Sequence, residues 1–449
     1  MLNRPSSRTV LLLLSLCFLP IDLLLTLSFS ESTFFMKKIL FSTLFLCLSS
    51  LMLSAQTAGK TYEYRNGQWY TGLEFASGTW YVVNGLLTQK APVKIDSIID
   101  LTGHWVIPPM GDAGSSSLLS GKTATSMAKQ YMDEGVFYLQ ILPTTQEVRK
   151  EIQPKLNQIN TPDAIFTSGA ITCSYGEPFL KFEGPAQDVP NPADWAKSYD
   201  KIKPGRKLYG DAYWFVDNKD ALNANWEKII AQKPNVIQIY LLDAQVNGGK
   251  ESKGLSIDVA KAVVKKAHKS NLRVYARVES ADDVRIGIKI GVDGFSNLPG
   301  NNWDGSGDPS RYEISNDDLK KLVKKKTPVA TLLSHAQSTV SRPAVKEFQT
   351  KMFARLLENG VNLIVASDDP QRTIRGEVNY LNGLAKQNGA FLIKILCENT
   401  PAAIFPERKV GKLKEGYEAS FLVLTDDPFS NILKIRASAF KVKNGTILK

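Results

Sequence analysis

Histidine is nearly absent from this chain, with three in 449 residues, at His104, His268 and His335. A metal centre assembled from several neutral imidazoles is therefore out of reach. Cysteine is also scarce. Of four cysteines, Cys17 and Cys47 lie in the N-terminal segment, and Cys173 and Cys397 remain beyond it. One pair does not make a disulfide framework, and two buried thiols are the expectation. Beyond Ala55 no apolar run is long enough to cross a bilayer, so no stable membrane span is expected there. No groove-reading motif accompanies the net charge of +11, and nucleic acid is not an expected partner. Much of that charge sits on solvated helix faces such as "KKLVKKK" from Lys320, where lysines interrupt a Leu-Val stripe.

What is present is ordinary globular composition, 43% hydrophobic and 22% charged, in a chain long enough for one large and one small domain. The first 55 residues stand apart, with apolar runs "VLLLLSLCFLPIDLLLTLSF" from Val10 and "ILFSTLFLCLSSLMLSA" from Ile39. The second begins after Met36, Lys37 and Lys38 and ends in Leu53-Ser54-Ala55, the order of a secretory signal. Residues 1–55 therefore read as an N-terminal extension plus signal peptide, with the true start at Met36 and cleavage after Ala55. Leu46 before Cys47 argues against a lipid anchor. The expected destination is the periplasm or the medium.

Residues 60–104 alternate in short strand-like stretches, with Asn66-Gly67 and Asn84-Gly85 read as tight turns. The same texture returns over 409–449 in "ASFLVLTDDP" and "AFKVKNGTIL". The two chain ends are thus expected to pair into one small, composite β-sandwich-like domain. Between them, over 105–408, eight apolar runs alternate with helical stretches: "WVIPP", "GVFYLQIL", "DAIFTSGAIT", "NVIQIYLL", "LRVYARV", "GVDGFSNL", "TPVATLL" and "VNLIVASDD". One of the helical stretches, "SIDVAKAVVKKAHKS", has Ser256 placed to cap it. That alternation predicts an α/β fold, a (β/α)8 TIM barrel, whose chemistry would sit where strands end.

At those strand ends the chain resembles the amidohydrolase superfamily, imidazolonepropionase-like, as a divergent member. The resemblance rests on the opening "VNGLLTQKAPVKIDSIIDLTGHWVIPPMGDA", the closing "ENTPAAIFPERKVGKLKEGYEASFLVLTDDPFSNI", and "VYARVESADDVRIGIKIGVDGFSNLPG" and "VASDD" between them. It implies a metallohydrolase using zinc or another divalent ion, held by His-x-His on the first strand and by residues of strands four, five, six and eight. Carried onto this sequence, those positions are Gly114, Ser116, Gln238, Arg277 and Asn297, and only Asp368 keeps the implied residue type. No cofactor is expected at so altered a centre.

Arg277 offers no lone pair and carries a fixed charge, so it reads as a substitute for the ion, paired with Asp368 and with Glu279 or Asp369 as further partners. Tyr240, with Tyr213 and Trp214, reads as a pocket wall. Glu177 follows "ITCSY" in a loop expected over that pocket. Ser115, Ser116 and Ser117 supply hydroxyls but no neighbouring base. Two functions are compatible with these replacements. One is an exported pseudoenzyme keeping a pocket for a small molecule or a protein. The other is a hydrolase of carbon–nitrogen bonds using a metal-free site or a relocated one of oxygens from Asp112, Glu279, Asp368 and Asp369. Substrate, residual activity and oligomeric state are not specified by the sequence.

Overall fold

A computed structural model describes residues 60–244, 254–334, 342–385 and 388–448. The segment read as an extension and signal peptide, with Met36 and Ala55, and His335 lie outside the described residues. Among the described residues no helix is long and apolar enough to cross a membrane.

Both chain ends contribute to one eight-stranded sheet. Its N-terminal strands are β1 (Tyr62–Tyr70), β2 (Phe75–Val83), β3 (Leu86–Thr88), β4 (Ser97–Asp100) and β5 (Trp105–Ile107). Its C-terminal strands are β16 (Phe421–Leu424), β17 (Ser438–Lys443) and β18 (Thr446–Leu448). The order is β18-β17-β16-β5-β1-β2-β3, with β4 paired to β1. Asn84-Gly85 and Asn444-Gly445 take left-handed φ at both residues, and each closes a two-residue hairpin whose twist suits the strands it joins. Asn66-Gly67 does not turn the chain. β1 runs through it as a bulge, with Asn66 at φ 61° and the register against β2 shifted between Tyr64 and Gly67. Tyr64, Trp69, Trp80, Val106, Phe421 and Val442 form an apolar core belonging to this sheet.

The middle of the chain is parallel. One sheet holds β6 (Met110–Ser115), β7 (Val136–Ile141) and β8 (Asp163–Phe166). The other runs β10-β9-β11-β12-β13-β14-β15, built from β9 (Ala170–Thr172), β10 (Tyr213–Phe215), β11 (Val236–Tyr240), β12 (Arg273–Arg277), β13 (Gly294–Phe295), β14 (Val329–Ala330) and β15 (Leu363–Ile364). A parallel bridge from Thr167 to Val236 connects the two sheets on one side. On the other, Ala113 N–H donates to Val365 O at 2.8 Å and Asp368 N–H to Gly114 O at 2.7 Å. "WVIPP" is corrected here: Trp105–Ile107 lies in the terminal sheet between β16 and β1, and the first parallel strand is β6.

Helices return the chain between these strands: α1 (Gly121–Asp133), α2 (Gln146–Ile152), α3 (Phe179–Ala186), α4 (Lys219–Ala231), α5 (Ile257–Lys269), α6 (Ala281–Ile290), α7 (Asn316–Lys325), α8 (Pro343–Glu358) and α9 (Arg375–Leu384). In α5, Val259, Ala260, Val263, Val264 and Ala267 are buried, a helical spacing that turns one stripe to the sheet. Ser256 stands at its N-cap in extended conformation, though its side chain makes no capping bond. α6 carries a full capping box between Ser280 and Asp283 and stops at Gly291, whose φ of 87° suits a residue without a Cβ.

Candidate functional site

β12 ends in Arg277, and the chain leaving β15 reaches Asp368 four residues later. Arg277 Nη1 donates to Asp368 Oδ2 at 2.8 Å, with the two side chains 12% and 5% exposed. The other oxygen, Oδ1, accepts from Lys181 Nζ of α3 at 3.2 Å, and that lysine is half exposed. Asp368 takes φ 36°, in the left-handed region that aspartate tolerates better than most side chains. Its backbone N–H bond to Gly114 O holds it there.

Burial works against the charge on Arg277, but the Asp368 carboxylate, followed by Tyr240 and Glu177, overcomes it and raises the guanidinium's pKa. Burial is also the main reason the Tyr240 phenol is pushed up, so it stays protonated beside this pair. The centre is thus one carboxylate between two cations, with a neutral phenol on β11 and the exposed Glu177 within electrostatic reach.

The first parallel strand departs from simple alternation. Gly111 pairs with Tyr138 and Asp112 with Leu139, yet the next pair is Ser115 with Ile141. Three steps on β6 oppose two on β7, which is a bulge. The strand also stops at Ser115. Gly114 thus lies within the bulge and Ser116 one residue past the end of the strand. Gly114 has no space for a side chain, since a Cβ there would stand 2.8 Å from Ala366 Cβ. The hydroxyl of Ser116 is buried without a hydrogen-bond partner among the described residues.

Asp112, fully buried, collects the donors. It accepts from Gly114 N–H at 3.1 Å and Ser367 N–H at 3.0 Å through Oδ1, and from Ser367 Oγ at 2.6 Å and Tyr131 OH at 3.1 Å through Oδ2. Ser115 Oγ and Ser117 Oγ each lie 3.0 Å from the same Tyr131 hydroxyl. Burial pushes the Asp112 pKa up to about 6, and the donors, Ser367 foremost, restrain the rise. Because Ser367 precedes Asp368, this network also fixes the segment that presents Asp368 to Arg277.

The remaining sequence-selected residues divide. Gln238 is buried, with Oε1 accepting from Ser296 Oγ at 3.0 Å. Asn297 is buried and bonded on both sides of its amide, accepting from Val278 N–H and donating to Val278 O, Leu298 O and Asn301 Oδ1. Glu279 N–H donates to Asp283, which also takes N–H bonds from Asp243, Ala244 and Ser280 and so ties the segment after β11 to that after β12. Asp369 caps its own loop through Gln371 N–H at 2.8 Å. Of the four carboxylates of the imagined relocated metal site, those of Asp112, Asp368 and Asp369 are thus engaged in separate local structures. Among the described residues no three His, Cys, Asp or Glu side chains come together as a metal site.

Tyr213 packs with Phe179 and Phe215 in an aromatic cluster, and Trp214 is buried beside Gly169. Cys173 and Cys397 form no disulfide. His104 Nδ1 lies 3.1 Å from Thr102 O, and His268 Nε2 lies 2.8 Å from Asp293. Sequence reasoning missed Lys181, Tyr131 and Ser367. A lone lysine inside the apolar "PFLKFEG" was the available signal for the first; the tyrosine reads as an ordinary buried helix position.

No protein-family model matches the sequence, and no curated protein matches it. Solved structures do resemble it. A. niger ochratoxinase is 16% identical, with a TM-score of 0.66 over 87% of this chain and 96% of that one. A Xaa-Pro dipeptidase with bound methionine is 14% identical, with a TM-score of 0.66 over 87% and 100%. Molinate hydrolase is 14% identical, with a TM-score of 0.63 over 87% and 95%. These neighbours are amidohydrolase-superfamily structures, and at such identities the likeness shows the fold.

Proposed function

We propose that this is an exported, amidohydrolase-like (β/α)8 protein in which an arginine–aspartate pair occupies the place of a catalytic metal, leaving a binding protein and not a metallohydrolase. The observation that carries this is the 2.8 Å bond between Arg277 and Asp368. A guanidinium there repels a divalent ion and neutralises the carboxylate that would otherwise help to hold one. The residues at the other implied ligand positions do not fit an ion either. Gly114 faces Ala366 without space for an imidazole, and the Gln238 and Asn297 amides are bonded within the protein. The bonds from Ala113 and Asp368 across to the far sheet, with the Thr167–Val236 bridge, support a closed barrel. A serine nucleophile gains no support, because Ser115 and Ser117 are tied to Tyr131 and no lysine or histidine contacts them among the described residues.

Elemental analysis of protein purified without chelators tests the reading. No stoichiometric zinc, iron or manganese is expected. One tightly held ion per chain, lost together with a hydrolytic activity on treatment with EDTA, would refute it.

A further inference from the structure

We propose that the Arg277–Asp368–Lys181 cluster binds the carboxylate group of a small organic monoacid. The inference rests on the reading above, since it needs the guanidinium and not an ion at this position. Arg277 carries five N–H donors. It commits Nη1 to Asp368, and among the described residues no other acceptor is hydrogen-bonded to it and none of its nitrogens is sealed from solvent without a partner. Lys181 likewise gives one of its three protons to Asp368 and remains half exposed. The three side chains in direct contact thus carry one more positive than negative charge, offset only at a distance by the exposed Glu177. The open edge of a guanidinium matches a carboxylate in plane and spacing, so a second carboxylate can be held by Arg277 with Lys181 beside it.

Glu177 sets the limit on ligand charge. It is exposed and its field reaches Arg277 and Tyr240. Solvent weakens that repulsion for a single negative charge, but a dianion meets it twice over. The site should therefore prefer acetate to inorganic phosphate at pH 7.5.

The test is isothermal titration of the purified protein with sodium acetate and with sodium phosphate at constant ionic strength, before and after EDTA treatment. Saturable acetate binding is expected, tighter than phosphate and unchanged by EDTA. Lys181→Gln, which leaves the Arg277–Asp368 pair intact, should weaken acetate by about tenfold, the loss of one charge-assisted bond. Glu177→Gln should narrow the preference over phosphate. Absence of saturable acetate binding, equal binding by K181Q, or tighter phosphate would overturn the proposal while leaving the metal-free reading intact. Acetate binding abolished by EDTA, with metal recovered, would overturn both.

Discussion

Asp112 is a buried carboxylate with no cation against it among the described residues, held by four hydrogen bonds from neutral donors. With its folded pKa raised to about 6 from an ordinary 3.8, the folded state holds this proton more tightly than the unfolded one does. The associated stability is complete below about pH 4 and is lost as pH rises through about 6, roughly 3 kcal/mol in all. Urea midpoints measured from pH 4 to 7 should fall less steeply for Asp112→Asn than for the parent, and parallel curves would remove Asp112 as the cause. The Arg277–Asp368 pair calls for a double-mutant cycle. Arg277→Gln alone should cost about 3–5 kcal/mol by leaving a carboxylate buried, although Lys181 moderates the loss. Arg277→Gln with Asp368→Asn should cost about 2 kcal/mol less than the two single changes added. At this scale the sequence exposed what lies at strand ends, where Arg277 and Asp368 break apolar runs. It hid Tyr131 and Lys181, whose helical positions look like core and surface until the neighbours are known.

Among the elements, β6 decides most about the site. Its extra residue turns the Gly114 backbone against Ala366, so even a methyl group is resisted. Gly114→Ala should destabilise by about 1–3 kcal/mol, and Ala366→Gly in the same chain should recover part of the loss, both read from thermal or urea unfolding. Equal stability of G114A and the parent would mean the contact relaxes at no cost. The parallel runs after β6 were legible because apolar stretches of strand length alternate with helical stripes. Trp105–Ile107 was not placed correctly, because a strand between two neighbours in the terminal sheet is as apolar as one inside a parallel set. Asn66-Gly67 misled for a related reason: the backbone geometry that closes a hairpin also makes a bulge, and only the pairing of β1 with β2 distinguishes them.

Across the whole molecule, the terminal sheet and the parallel strands are fastened through Lys443. Its ammonium group is buried and donates to Gln158 O, Thr161 O and Asp163 Oδ1 at 2.7, 2.5 and 2.6 Å. Asp163, at the head of β8, also pairs with Arg408 at 2.8 Å, and Arg408 in turn pairs with Glu418. Lys443→Met should cost about 3 kcal/mol by stripping those acceptors of their donor. Denaturation followed separately by far-ultraviolet circular dichroism and by tryptophan fluorescence should show whether the loss is shared by the whole chain. A K443M variant as stable as the parent would show that the fastening is decorative.

The arrangement of β5 between β1 and β16 also sets a timetable. The partners of β5 on one side, and of the Gln158 loop 285 residues before Lys443, are made long after the segments they join. Until then Val106 and Ile107 have no sheet to enter on that side, and the nascent chain carries an open apolar edge while all the parallel strands are made. Closure of the terminal sheet therefore waits for β16, and the parallel strands have to hold their own order until it arrives.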